Sequence, residues 1–149
     1  MLRAFSEKSK CLLYLVAIVL FGGCSSKPAP EPIHIGEDVC ANCRMAIIEP
    51  QFASEIILSS GEILKFDDLD CLASRSKDTE GSVIQNMLVQ DYLTREWING
   101  DKAVIVRGSK VQTPMGSGAV AFASREQADK FLAENSGQFV TLQEFLQQQ

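Results

Sequence analysis

Apolar and polar positions fall in short blocks along this chain, and the period switches between two and about 3.6 residues. Residues 52–58 and 62–66 read as strands around the turn Ser59-Ser60-Gly61, which makes a hairpin. Asp67 or Asp68 can cap a helix with Leu69, Leu72 and Ala73 on one face. A polar loop with Gly81 leads to a strand over residues 86–92, in which Met87 reads as core. The order then recurs. Residues 102–107 form a strand, and a loop with Pro114, Gly116 and Gly118 follows. Residues 119–122 form a short strand. Ser124 and Gln127 fit a capping box before a helix with Ala128, Phe131 and Leu132 inward. Asn135-Ser136-Gly137 stops it. Residues 138–142 are extended, with room for a short helical tail after Thr141. The predicted class is α+β, built from two related ββαβ subdomains over residues 37–97 and 98–149. The same order also suits one mixed domain.

The first residues have a different pattern. Arg3, Lys8 and Lys10 precede an apolar run over residues 11–21, which is short for a membrane span and suits a secretory signal. The run ends in Leu20-Phe21-Gly22-Gly23-Cys24, similar to a bacterial lipobox, so residues 1–23 are expected to be a leader and Cys24 the lipid attachment site. Cleavage near Gly23 without acylation is the alternative. Ser25 after Cys24 favours the outer membrane, on the periplasmic face. Residues 24–36 contain Pro28, Pro30 and Pro32 and read as an extended tether. Removal of 23 residues leaves 126, with 11 basic and 18 acidic side chains. That excess of acid argues against a nucleic-acid partner.

Candidate chemistry centres on Cys40-Ala41-Asn42-Cys43-Arg44-Met45. Two thiols and a thioether are soft donors, which select Cu(I) over hard cations. If the chain is extended there, Cys43 and Met45 share a face and can hold one ion. Met115, in the loop Thr113-Pro114-Met115-Gly116, has no core to fill and is a further donor. Cys71 is turned away from the face that Leu69 and Leu72 define, and His34 is a borderline ligand on the tether. Asp67, Asp68 and Asp70 read as capping and helix-dipole acids. Trp97 reads as an anchor between the halves. The alternative is that Cys40 and Cys43 form a disulfide in an oxidising compartment.

Taken together, Gly22-Gly23-Cys24, Cys40-x-x-Cys43-x-Met45, Asp91-Tyr92-x-Thr94-x-Glu96-Trp97, and Pro114-Met115-Gly116 followed by Phe122-Ala123-Ser124 resemble the NosL lipoproteins of denitrifying bacteria. The resemblance implies a periplasmic, non-enzymatic Cu(I) metallochaperone. It implies delivery of copper for the catalytic copper–sulfide centre of nitrous oxide reductase, with an ABC-type membrane assembly complex as a second partner. The metal ligands it points to are Cys43, Met45 and Met115, with Cys40 assisting; a homodimer sharing one copper is possible. The family commonly has glycine where this chain has Arg44. A cation there either stabilises thiolate or fills space a close partner needs. The alternative function is a periplasmic thiol enzyme, a disulfide oxidoreductase or an organomercurial-cleaving protein, using Cys40, Cys43 and an acid such as Asp67.

Overall fold

A computed structural model describes residues 29–78 and 81–148. The expected leader and Cys24 lie outside the described residues. Strand β1 (Ser54–Leu58) is followed by β2 (Ile63–Phe66), helix α1 (Leu69–Lys77), β3 (Ile84–Gln90) and β4 (Trp97–Asn99). The second half contains β5 (Val104–Arg107), β6 (Val120–Phe122), α2 (Arg125–Glu134), β7 (Gln138–Val140) and α3 (Leu142–Gln147). The α+β class expected from the sequence is the class observed.

The predicted hairpin forms with Ile57 opposite Ile63 and Ser54 opposite Phe66. Strand order is β2-β1-β3-β4 in one sheet and β6-β5-β7 in the other. In each, the first strand of the unit takes the centre and both partners run antiparallel to it. One chain path is therefore followed twice. β4 pairs with β3, so Trp97, Ile98 and Asn99 all belong to the first sheet.

The helix starts follow local hydrogen bonding. Asp68 takes the N-cap of α1, accepting from the amides of Asp70 and Cys71. Ser124 caps α2 through the amide of Gln127. The full reciprocal box falls at Thr141 and Glu144, which start α3. Gly100 lets α3 come close: a Cβ there would collide with the side chain of Leu142.

The two sheets share one core. Cys40, Ile56, Phe66 and Leu72 from the first half cluster with Ile105, Ala119, Ala121, Leu142 and Phe145 from the second. A smaller cluster groups Phe52 with Val106, Val120 and Phe122. Asp91 and Tyr92 tie the halves together, and Trp97 sits half-buried in β4. The Tyr92 ring lies 5.8 Å from Phe52, 6.0 Å from Phe122 and 5.6 Å from Phe131. The buried Asp91 carboxylate accepts from Leu93 and Thr94 at 2.9 and 2.8 Å, and across the junction from Ala123 at 2.7 Å.

Burial of β1 on both faces encloses an acid. Glu55 is fully buried opposite Lys65, and its one bonded oxygen accepts from the Glu31 amide at 3.3 Å. Lys65 Nζ in turn holds Asp38 at 2.9 Å and the Pro32 carbonyl at 3.0 Å, so the end of the expected tether is pinned to β2. Burial pushes the Glu55 carboxyl up to about 7. An acid raised in the folded state adds stability fully below its unfolded value of 4.5, and that contribution is lost as pH rises to about 7. Glu55→Gln removes the titration while keeping the acceptor. Urea unfolding between pH 5 and 8 should show the variant's stability varying less with pH. It should also exceed the parent at pH 8, by at most about 3 kcal/mol. Equal pH slopes for both proteins would overturn this assignment.

Candidate metal centre

Residues 36–47 form a small hairpin. Gly36 donates to Ile47 at 2.9 Å, Ile47 to Asp38 at 2.9 Å and Cys40 to Met45 at 2.8 Å, and Val39 bridges Ala46. Its tip is a turn over residues 41–43, closed by Arg44 N donating to the Cys40 carbonyl at 3.1 Å. The Ala41 amide donates to Lys65 O at 2.8 Å, which seats the tip against β2. The chain at Cys43 is thus turned, not extended. Arg44 has φ 68°, in the left-handed region that favours glycine. The position at which the family commonly carries glycine therefore has a backbone reason for it.

The tip meets two further residues. Asp67 follows β2, and Cys71 sits in the first turn of α1. Sγ of Cys40, Cys43 and Cys71 and a carboxylate oxygen of Asp67 all lie within 4.8 Å of one another. The three cysteines are free. Cys40 and Cys71 are buried, Cys43 is half-buried, and Asp67 is only 3% exposed. Cys43 Sγ donates to Asp67 Oδ2 at 3.1 Å, and Asn42 Nδ2 donates to Cys71 Sγ at 3.5 Å. Asp67 Oδ1 is buried with no hydrogen-bond partner, an unmet acceptor that a cation would satisfy.

Proton affinities in the cluster diverge. A hydrogen bond from Cys71 stabilises the Cys40 thiolate against the cost of burial, holding Cys40 down at about 6. Burial, reinforced by the Asp67 acceptor, raises Cys43 to about 11. Cys71 is raised as well, by its bond to Cys40 and by burial. Burial acts to raise Asp67, but hydrogen bonds from the three thiols outweigh it and hold the carboxyl below its ordinary value. These directions favour negative charge on Cys40 and Asp67 and protons on Cys43 and Cys71.

The methionines occupy the rim. Met45 and Met115 are each 46% exposed. Met45, Asp67 and Pro114 line one cavity of about 210 Å³, together with Ala46, Ile48 and Glu49. The Met115 loop is anchored to the first half because the Met115 amide donates to Asp68 Oδ2 at 2.8 Å. Within the loop, Gly118 has φ 64° and its Cβ would strike the Ser109 backbone, so the tight crossing there requires glycine. Burial raises Asp68 to about 6 despite its bonds from the Cys71 and Met115 amides.

The structure thus brings Cys40 and Cys43 into one donor group and sets Met45 and Pro114 on a cavity that shares Asp67. Cys71 and Asp67 join the thiols, a placement the helical face of Leu69 and Leu72 did not point to. Leu69, Cys71, Leu72 and Ala73 are all buried, because α1 is covered by the hairpin tip as well as by β1 and α3. His34 pairs with Asp38 at 3.5 Å, outside the group. Of the three acids at the helix start, Asp68 is the cap, Asp70 lies in the first turn and Asp67 faces the thiols.

Chemically, this is a small α+β protein with a preformed cluster of soft donors. Metal–sulfur bonds of about 2.3 Å would place the donors within about 4 Å of one another, so only a small contraction is needed. The NosL family model matches residues 32–149, and the chain belongs to that family. The fold is shared with a solved copper chaperone NosL from Shewanella denitrificans, at 21% identity and TM-score 0.73 over 83% of this chain and 100% of that one. No curated protein matched the chain.

Arg44→Gly tests the turn. Relief of the left-handed strain is offset by the entropy of glycine in the unfolded chain. Stability should therefore stay level or rise by up to about 1 kcal/mol. A loss of more than about 1 kcal/mol in urea unfolding would mean that the arginine side chain, not the backbone, holds the tip.

Proposed function

We propose that this protein carries Cu(I) and hands it on, without catalysing a reaction. The observation that carries the reading is the set of three free thiols and one carboxylate within 4.8 Å, with Met45 on a cavity that shares Asp67 and the Met115 amide bonded to the neighbouring Asp68. Soft sulfur donors match Cu(I), and thioether needs no deprotonation to bind it. In this reading Cys43, the half-buried thiol, is the first strong ligand. Met45 and Met115 are weak ligands at the open side, and Cys40 assists or takes over as the ion settles. Cys71 and Asp67 complete the inner wall. An acceptor can then displace the rim donors one at a time, which is what a carrier requires.

The client in this proposal is apo nitrous oxide reductase, whose copper–sulfide centre is assembled with an ABC-type membrane complex. Family membership supports that choice. Lipid attachment at Cys24, facing the periplasm, would place the carrier beside such a complex, and a homodimer could share one ion. The thiol-enzyme reading draws on the Cys43–Asp67 contact of 3.1 Å, which pairs a sulfur with a proton acceptor.

Titration of the reduced protein with Cu(I), against a chromophoric chelator, decides between them. The expected result is tight binding that is weakened by at least about tenfold in Met45→Leu/Met115→Leu, and by more in Cys43→Ser. Unchanged affinity and stoichiometry in the double methionine variant would remove the thioethers from the mechanism. Turnover of a dithiol or organomercurial substrate, with no tight Cu(I) binding, would favour the enzyme.

A further inference from the structure

The three thiols differ sharply in access, and that asymmetry has a chemical use. Cys43 is half-buried at the hairpin tip, whereas Cys40 is 0% and Cys71 1% exposed. A bulky reagent in solution therefore meets Cys43 first. Behind it stand two thiols within 4.8 Å, either of which is near enough to react with whatever Cys43 has acquired.

Geometry separates those two. Cys40 and Cys43 bracket one turn, so a bond between their sulfurs closes a ring within a segment already folded back on itself. Cys71 is held by a capped helix. Its amide donates to Asp68 Oδ1 at 3.1 Å, and the same carboxylate holds the Met115 loop. Drawing Cys71 forward would disturb the helix start and the contact between the halves.

We propose that the cluster is also a thiol–disulfide exchange site for a small disulfide of two separate thiol halves, with Cys43 as the entry thiol and Cys40 as the resolving thiol. In the first step Cys43 passes its proton to Asp67 Oδ2, 3.1 Å away, and the resulting thiolate attacks one sulfur of the oxidant. A mixed disulfide forms, and the other half leaves as a thiol carrying the Cys43 proton. In the second step Cys40 Sγ attacks Cys43 Sγ. The Cys40–Cys43 bond forms, and the second half leaves as a thiolate that takes a proton from solvent. Two cysteines are oxidised and one disulfide is reduced to two thiols. Cys71 stays reduced. The product retains one thiol and one carboxylate of the four donors, so the same event closes the metal site while the core around it persists. That last consequence rests on the Cu(I)-carrier reading; the disulfide itself does not.

The probe is oxidised glutathione added to the reduced full chain, followed by alkylation of free thiols and peptide mapping by mass spectrometry. The expected product is one Cys40–Cys43 disulfide, with Cys71 alkylated only after unfolding and the far-ultraviolet circular dichroism unchanged. Cys71→Ser should form the same disulfide. Cys40→Ser should stop as a glutathione adduct on Cys43, and Cys43→Ser should react at least about tenfold more slowly than the parent. A bond that includes Cys71, a lasting adduct on Cys43 in the parent, or equal rates for Cys43→Ser would overturn the assignment. Cu(I) stoichiometry on the reduced and oxidised forms separates the two readings. Binding by the reduced form alone supports the closing of the site, and equal binding by both forms overturns it. Failure of the reduced form to bind sinks the carrier reading while leaving the mapped disulfide to stand or fall by itself.

Discussion

The Asp68 carboxylate is the interaction on which the rest of the site depends. One oxygen accepts from the amides of Asp70 and Cys71 at 3.0 and 3.1 Å and fixes where α1 begins. The other accepts from the Met115 amide at 2.8 Å and fixes where the loop of the second half rests. Burial raises the pKa of this carboxyl, yet its three backbone partners satisfy it, and charge-assisted bonds of this kind are about twice as strong as neutral ones. One side chain thus sets the position of Cys71 and Met115 together. Its neighbour Asp67, displaced by one residue, faces the thiols instead.

Around that anchor the protein builds a site in two layers. The inner layer holds Cys40, Cys71 and Asp67, withdrawn from water and sharing few protons among several acidic groups. The outer layer holds Cys43, Met45 and Met115, each partly open. A buried layer of thiolate and carboxylate can hold charge because a cation would compensate it. In the proposed carrier, an open layer of neutral thioethers would allow exchange without exposing that charge to solvent.

The repeated topology explains how a chain of this size builds such a site. Neither three- or four-stranded sheet with its single long helix buries much surface alone, and small sheets need a partner layer. Here the halves share one core and are riveted at Asp91 and Tyr92, so the second half supports the first and also contributes Met115. The motif Asp91-Tyr92-x-Thr94-x-Glu96-Trp97, conspicuous in the sequence, has a structural role at this junction. Asp91 collects the amides of its own turn and that of Ala123.

Much of this was legible in the sequence because it is local. The apolar strand segments, the turn at Ser59-Ser60-Gly61, the caps at Asp68 and Ser124 and the repeated element order all follow from neighbouring residues. The soft-donor run Cys40-x-x-Cys43-x-Met45 and the family resemblance were equally plain. The tertiary structure decided which distant groups join that run. A helix with one apolar face turns Cys71 away from Leu69 and Leu72, toward solvent or another layer; α1 is covered on several sides, and the other layer is the hairpin tip. Asp67 reads in the sequence as a capping acid, or as the acid beside Cys40 and Cys43 in the thiol-enzyme alternative, and the return of the hairpin tip over β2 places it against the thiols. The extended geometry expected at Cys43 gave way to a turn, since a left-handed Arg44 is fixed by the Cys40 carbonyl and not by arginine's own preference. Spacing along a chain gives donor identity, whereas convergence of donors depends on long-range packing that no short window contains.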